Sequence, residues 1–194
     1  MKQPRVSIIK DNIEKQTPLP SYKNDCDIGQ WVDKTMMEKG HAIDSKGRVD
    51  MPEYNIDNKT RKKGSKANHT VGSMTISDII NTPNWEDTGY FPKVQNQNQV
   101  LWDPVFKEVV DVKIVDMAIP DIQDQLKAAY EDLRAQVVAG NRSKTITSGN
   151  GWAVLDGSGH HNSYRYRITN TAMKKIHTIS GARDSIKRNF EFGE

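Results

Sequence analysis

Residues 100–139 read VLWDPVFKEVVDVKIVDMAIPDIQDQLKAAYEDLRAQVVA, and this stretch decides the fold class. Its first half, Val100–Asp116, is rich in β-branched and aromatic residues, which favour strands, and the Asp103-Pro104 step interrupts it. This half therefore predicts a β-hairpin. The second half, Pro120–Ala139, repeats apolar residues with a period near 3.6 and stops at a glycine, so it predicts a long amphipathic helix.

Weaker patterns on either side add further strands and short helices. Upstream, the sequence predicts a helix at Gly29–Lys39, a strand–turn–strand at Arg48–Arg61, and a strand or short helix at Ser73–Ile80. Downstream, it predicts strands at Lys144–Ile146, Gly151–Leu155 and Tyr164–Ile168, and a short helix at Thr171–Ile176. The order predicts an α/β fold in which a substantial mixed sheet is flanked by helices, forming one domain over residues 1–194.

Composition excludes several classes of protein. Hydrophobic residues make up 35% of the 194 residues, enough for a core, but no apolar run approaches the ~18 residues of a membrane span. The first residues lack the apolar stretch of a signal peptide, so we expect a cytoplasmic protein. The single cysteine, Cys26, excludes an internal disulfide framework and a cysteine-rich zinc site.

Charge is distributed unevenly along the chain. Residues 1–66 carry a net charge of +4, residues 67–141 of −6 and residues 142–188 of +7. The densest basic cluster is KTRKKGSK at Lys59–Lys66. Two basic segments suit a polyanion such as nucleic acid, although a solvated charged face with a flexible loop gives the same pattern.

One acid-x-Lys step stands out as a candidate catalytic site. Residues two apart on a strand project from the same face, so Asp57 and Lys59 would meet at one place. Asp50 ends the preceding strand, and Glu38 lies on the helix upstream. Carboxylates hold hard divalent cations through oxygen, such a cation polarises a phosphate, and a lysine can orient the attacking water.

Two other acid-x-Lys steps lie in less suitable positions. Asp44 and Lys46 fall in a turn-like stretch, and Asp111 and Lys113 lie on a strand without a second acid at the matching distance. The alternative interpretation of the Asp57 step is a surface hairpin with an ion pair of little energetic value.

Five segments together resemble the PD-(D/E)XK nuclease superfamily, in its MutH-like and type II restriction endonuclease branch. DMPEYNIDNKTR at residues 50–61 resembles the family's Asp, turn and acid-x-Lys-Thr strand, and QVLWDPV at 99–105 resembles its next core strand. Residues 123–140 resemble its long acidic helix, 151–168 its strand pair with a recognition loop, and 185–190 its C-terminal Lys-x-x-Phe stretch.

The resemblance implies a restriction-endonuclease-like fold shaped as a two-lobed clamp. Its lobes would be a catalytic core at residues 1–110 and an arm at 111–194 with the long helix and the recognition strands. It implies sequence-specific hydrolysis of double-stranded DNA by metal-activated water, with Mg2+ as the cofactor and Mn2+ as a substitute. It also implies a bacterial or phage-encoded protein that acts as a monomer or weak dimer.

Residue roles follow from the same resemblance. Asp50, Asp57 and the Asn58 carbonyl would hold the metal, Lys59 would position the water, and Glu38 would support the site or bind a second metal. The family usually has Glu where this chain has Asp57. It also places a lysine just before the Leu-Trp strand, where this chain has VQNQNQ at residues 94–99 and offers only Lys93 nearby.

DNA contacts are predicted in both basic segments. The Gly-rich stretch at residues 156–163 would be the recognition loop, with His160, His161 and Asn162 at base edges, unless it is simply a mobile hairpin tip. Arg165 and Arg167 share one strand face and suit phosphate or guanine contacts. The predicted phosphate contacts are Lys62, Lys63, Lys66, Arg183, Lys187 and Arg188.

A second class of function stays open from the sequence. A DNA-binding protein without catalysis, built on a nuclease-derived scaffold, would retain the basic segments but cut nothing. Three tryptophans, Trp31, Trp102 and Trp152, are expected in the core, whereas Trp85 lies in a polar stretch that leaves its place undecided.

Overall fold

The computed structural model describes residues 29–30, 49–52, 55–105, 108–157 and 162–182. The described residues form two compact units that are each discontinuous in sequence. The first unit takes its described residues from 29–30, 49–65, 95–116 and 180–182, and the second takes them from 66–94 and 117–179.

Seven strands and three α-helices make up the described regular structure, with two 3-10 turns between β2 and β3. The strands are β1 (Ile56–Lys62), β2 (His69–Thr75), β3 (Asn96–Asp103), β4 (Glu108–Asp116), β5 (Thr145–Thr147), β6 (Ala153–Asp156) and β7 (Ser163–Ile168). The helices are α1 (Ile76–Asn81), α2 (Pro120–Val138) and α3 (Asn170–Ile179), and the 3-10 turns are Trp85–Asp87 and Phe91–Val94.

The first unit contains a three-stranded mixed sheet in the order β1-β3-β4. Strand β1 runs parallel to β3, and β3 and β4 form an antiparallel hairpin with a register shift between Leu101 and Trp102. One face of this sheet, here named the apolar face, carries buried Ile56, Val100 and Val112 together with the buried Asn96 and Asn98. The opposite face, here named the polar face, carries Asp57, Lys59, Arg61, Gln97, Gln99, Asp111 and Lys113.

A tight turn leads into β1. The backbone of Met51 exchanges two hydrogen bonds with that of Ile56, at 2.9 and 3.2 Å. Asn55 has φ of 54°, in the left-handed region that asparagine tolerates better than most residues. The turn therefore returns the chain alongside its own preceding residues, and it brings Asp50 next to the start of β1.

The second unit packs a four-stranded antiparallel sheet, in the order β2-β7-β6-β5, against α2. Pro120 opens the helix, where its missing N–H costs no hydrogen bond, and Gly140 follows its end with φ of +96°. The apolar stripe of α2 is fully buried, and the Tyr166 hydroxyl on β7 donates to the Leu126 carbonyl at 2.9 Å. The helix and its stop are confirmed as the sequence predicts.

The Gln123 side chain links the first turn of α2 to the chain that precedes it in the second unit through three hydrogen bonds. Its Oε1 accepts a hydrogen bond from the Trp85 indole at 3.0 Å, and its Nε2 donates to the carbonyls of Val94 and Met117 at 2.8 Å each. Trp85, undecided from the sequence, is 1% exposed. Trp102 and Trp152 are buried as expected, while Trp31 lies outside the described residues.

The mixed α and β class is confirmed, but the strands divide between two sheets instead of forming one. The 100–116 hairpin and the three C-terminal strands are present, and residues 73–80 contain both a strand end and a helix start. Thr75 explains this junction, because its side chain accepts a hydrogen bond from the Asp78 N–H at 3.0 Å and caps α1. None of the described helices is both long and apolar enough to cross a membrane.

Candidate functional site

Strand β1 brings Asp57 and Lys59 together on the polar face. The Lys59 Nζ lies 2.6 Å from the Asp57 Oδ2. The Asp57 side chain is 1% exposed and that of Lys59 is 19% exposed. A buried carboxylate requires a compensating positive charge, so the ammonium group of Lys59 neutralises Asp57 in the structure. The two-residue spacing on a strand thus produces the acid–lysine pair that the sequence predicts.

Asp50 joins this pair through the backbone of the residue between them. The Asn58 N–H donates to the Asp50 Oδ2 at 2.8 Å. Because the N–H and C=O of one strand residue point to the same side, the Asn58 carbonyl faces the edge of β1 where Asp50 lies. The structure therefore places two carboxylates, one carbonyl and one lysine around three consecutive residues of β1.

The side chain of Asn58 has a different role from its backbone. It lies on the apolar face of the sheet, where the Asn98 Nδ2 donates to the Asn58 Oδ1 at 3.1 Å. This bond links β1 to β3 directly beneath the candidate site. Asn58 can therefore contribute to a metal site through its carbonyl while its side chain stabilises the strand pairing.

The oxygen donors at this site are of the chemical type that Mg2+ prefers. Among the residues that the structure describes, no group of three or more His, Cys, Asp or Glu side chains could hold a metal ion. Mg2+ is commonly held by one or two carboxylates, with water and substrate phosphate completing its octahedron. Asp50, Asp57 and the Asn58 carbonyl supply that kind of donor set.

Sequence reasoning missed the polar side chains on the neighbouring strands. Gln97 lies opposite Asp57 and Gln99 lies opposite Lys59, and the Gln99 Nε2 donates to the Gln97 Oε1 at 3.1 Å. Gln97 is fully buried. The alternating glutamines of residues 94–99 carried this signal, because a period of two places both on one face of a strand.

The basic residues of the first unit lie at and beyond the end of β1. Lys62 and Lys63 are exposed, and the Lys63 Nζ lies 3.4 Å from the buried Asp103 Oδ2. Arg61 donates to the Ser65 carbonyl at 3.0 Å. The assignment of Lys62 and Lys63 to phosphate contacts stays a prediction.

The second unit holds the other described candidates for DNA contact. Arg165 and Arg167 share one face of β7, as predicted, and an Arg167 guanidinium nitrogen lies 3.4 Å from the Asp156 Oδ2. Asn162 is exposed with φ of 76°, and its carbonyl accepts a hydrogen bond from the Ile76 N–H. Lys66 is exposed, whereas Lys93 is half-buried in a 3-10 turn beside Gly72.

Several predicted site residues lie outside the described part of the chain. They are Glu38, His160, His161, Arg183, Lys187 and Arg188. Their assignments stay predictions.

Comparison with known proteins assigns no family to this geometry. No protein-family model matches the chain, and no curated protein matches it. The function must therefore be argued from the residues of the site.

Proposed function

We propose that the chain is a Mg2+-dependent, sequence-specific DNA endonuclease with a restriction-endonuclease-like fold. The observations that carry the proposal are the Asp57–Lys59 pair on β1 and the hydrogen bond that holds the Asp50 carboxylate at the backbone of Asn58, the residue between them. Asp50 and Asp57 are seven positions apart in the sequence, and a hydrogen bond from the N–H of Asn58, the residue after Asp57, holds Asp50 beside the strand. An ordinary surface hairpin has no need to bury Asp57 almost completely.

The carboxylates of Asp50 and Asp57 and the Asn58 carbonyl would hold Mg2+. The ion, when bound, supplies a Lewis acid for a phosphoryl oxygen and lowers the pKa of a water molecule. Asp57 is shorter than glutamate by one methylene, and its position on the strand is compatible with the general acid-x-Lys pattern.

Lys59 supplies a mobile positive charge next to these donors. Its Nζ sits 2.6 Å from Asp57, so it neutralises the carboxylate in the free protein. Its long, flexible stem allows the same ammonium group to turn toward a phosphate, orient the attacking water and offset negative charge that develops during hydrolysis. The described residues proposed to bind the DNA backbone or bases are Lys62, Lys63, Lys66, Lys93, Asn162, Arg165 and Arg167.

The proposal is tested by incubating supercoiled plasmid with the protein and Mg2+. We expect nicking or cutting by the wild type, and loss of both in Asp57→Asn and in Lys59→Met. Matched controls are Glu86→Gln and Lys127→Gln, which alter an exposed acid–lysine pair of 3.2 Å in the second unit and should leave cutting unchanged.

The same assay separates the proposal from a DNA-binding protein without catalysis. Tight, salt-dependent binding with no cutting under Mg2+, Mn2+ or any other divalent metal would contradict the endonuclease and favour that second class. Cutting that survives in Asp57→Asn would also contradict it, because the active residues would then lie elsewhere.

A further inference from the structure

A second acid-x-Lys step lies on the same sheet face as the proposed active site. The Lys113 Nζ lies 3.3 Å from the Asp111 Oδ2 on β4, and both side chains belong to the polar face. We propose that Lys113 is a second cation of this site, which binds a backbone phosphate of the DNA substrate. This inference rests on the proposed endonuclease function, and it adds a residue that the acid-x-Lys pattern alone left unassigned.

The strand register places Lys113 in line with Lys59. Lys59 pairs with Gln99 across β1 and β3, and Gln99 pairs with Lys113 across β3 and β4. Paired residues on neighbouring strands project from the same face, and strands are ~4.8 Å apart, so the backbones of the two lysines are roughly 10 Å apart. Flexible lysine stems can span that interval and reach neighbouring phosphates of one DNA strand.

The charges on the polar face are arranged in rows across the sheet. The row Lys59–Gln99–Lys113 has a cation at each end and a neutral amide between them. The carboxylates occupy the rows on either side, with Asp57 in one and Asp111 in the other. A phosphate bound over the middle row would therefore lie next to the two lysines, while both carboxylates lie in the adjacent rows.

The ion pair with Asp111 leaves Lys113 able to bind a ligand. The Lys113 side chain is 24% exposed, and its pairing uses a single carboxylate oxygen. The other oxygen, Asp111 Oδ1, is buried and has no hydrogen-bond partner among the residues that the structure describes. The pair is thus a single contact at 3.3 Å, which is longer than a strong charge-assisted hydrogen bond, and a phosphate can compete for the ammonium group.

Lys113→Gln and Asp111→Asn both break the Lys113–Asp111 contact, but only the first removes the positive charge. Comparing them therefore distinguishes a phosphate-binding Lys113 from a purely structural ion pair. If Lys113 binds phosphate, Lys113→Gln should weaken DNA binding about tenfold and reduce the slope of log Kd against log salt by about 1. Asp111→Asn should leave binding intact or strengthen it, since it releases Lys113 and removes a negative charge. A structural pair predicts equal effects of both substitutions on stability and none on DNA binding.

The experiment measures binding of a fluorescein-labelled random-sequence duplex by anisotropy, in Ca2+ and over a salt series, and plasmid cutting in Mg2+. Lys113→Arg keeps the charge and should retain wild-type binding, and Lys127→Gln serves as a lysine control in the second unit. Thermal unfolding of each variant is recorded. If Lys113→Gln does not fold, Lys113→Met takes its place: weaker binding by Lys113→Met supports the inference, and unchanged binding by Lys113→Met or weaker binding by Asp111→Asn overturns it.

Failure of this inference differs from failure of the proposed function. If the wild type neither binds nor cuts DNA, the endonuclease proposal fails, and the role of Lys113 falls with it. If the wild type cuts and Asp57→Asn does not, but Lys113→Gln binds DNA with unchanged affinity and salt slope, the inference about Lys113 alone is overturned.

Discussion

Replacing Lys59 by methionine should reduce the stability of the protein more than replacing Lys113 or Lys127, which belong to two more exposed acid–lysine pairs. The substitution removes the ammonium group 2.6 Å from Asp57 and leaves that carboxylate, 1% exposed, without its nearest cation. Breaking a buried pair by removing one partner costs about 3–5 kcal/mol. We expect a value near the lower end, about 3 kcal/mol, because the 19% exposure of Lys59 indicates that some solvent reaches the pair.

The other two pairs provide an internal scale. Lys113→Met breaks the half-exposed contact with Asp111, where exposures of 24% and 22% predict a loss of about 1 kcal/mol or less. Lys127→Met affects a pair that is 44% and 53% exposed and should have no measurable effect. Asp57→Asn should cost less than Lys59→Met, because the charge that it leaves unpaired, on Lys59, is 19% exposed, whereas Asp57 is 1% exposed.

Urea unfolding at neutral pH, followed by circular dichroism, measures the free energy of unfolding for each variant. The double variant Asp57→Asn with Lys59→Met should recover much of the stability that Lys59→Met loses. The reasoning is refuted if Lys59→Met is no less stable than Lys113→Met, or if the double variant is less stable than Lys59→Met alone.

Three further predictions concern the second unit. Gln123→Leu removes three hydrogen bonds and leaves the Trp85 indole N–H and the carbonyls of Val94 and Met117 without this partner. It should therefore lower the free energy of unfolding by about 2–4 kcal/mol. A loss below about 1 kcal/mol in urea unfolding would contradict this. Arg134→Met should lower the melting temperature, since Arg134 donates to the carbonyls of Ile79 and Ile80 near the end of α1 at 3.1 and 2.6 Å; an unchanged melting temperature would argue against this role. Burial raises the pKa of Tyr130 to about 12. Between pH 10 and 12 the folded state therefore keeps this phenol protonated, whereas the unfolded chain ionises it. The free energy of unfolding should be unaffected below pH 10 and should fall between pH 10 and 12. Stability that rises over that interval would contradict the burial of this phenol.

The sequence was most informative where one local period determines the outcome. The apolar repeat of α2 and its glycine stop predict the helix to within a residue, because a single amphipathic face must pack on a sheet. Likewise, the placement of Asp57 and Lys59 on one face needs only the two-residue period of a strand.

Features that depend on long-range pairing could not be read from local patterns. The alignment of Lys59 with Lys113 requires the register of three strands, of which the outer two are more than 40 positions apart in the sequence. Trp85 sits in a polar stretch that resembles a surface loop, yet it is buried because Gln123, 38 residues away, satisfies its indole N–H. The division of the strands between two sheets likewise follows from pairing between distant segments.

The most direct test of the central claim is the rate of DNA cleavage in Mg2+ by variants of Asp50, Asp57 and Lys59, the three proposed active-site residues at β1. Residues that act as one catalytic unit lose activity non-additively. We therefore predict that Asp50→Asn, Asp57→Asn and Lys59→Met each abolish cutting, and that the double variant of Asp57 and Lys59 loses no more than either single variant. Wild-type rates in any of the three single variants would contradict the account.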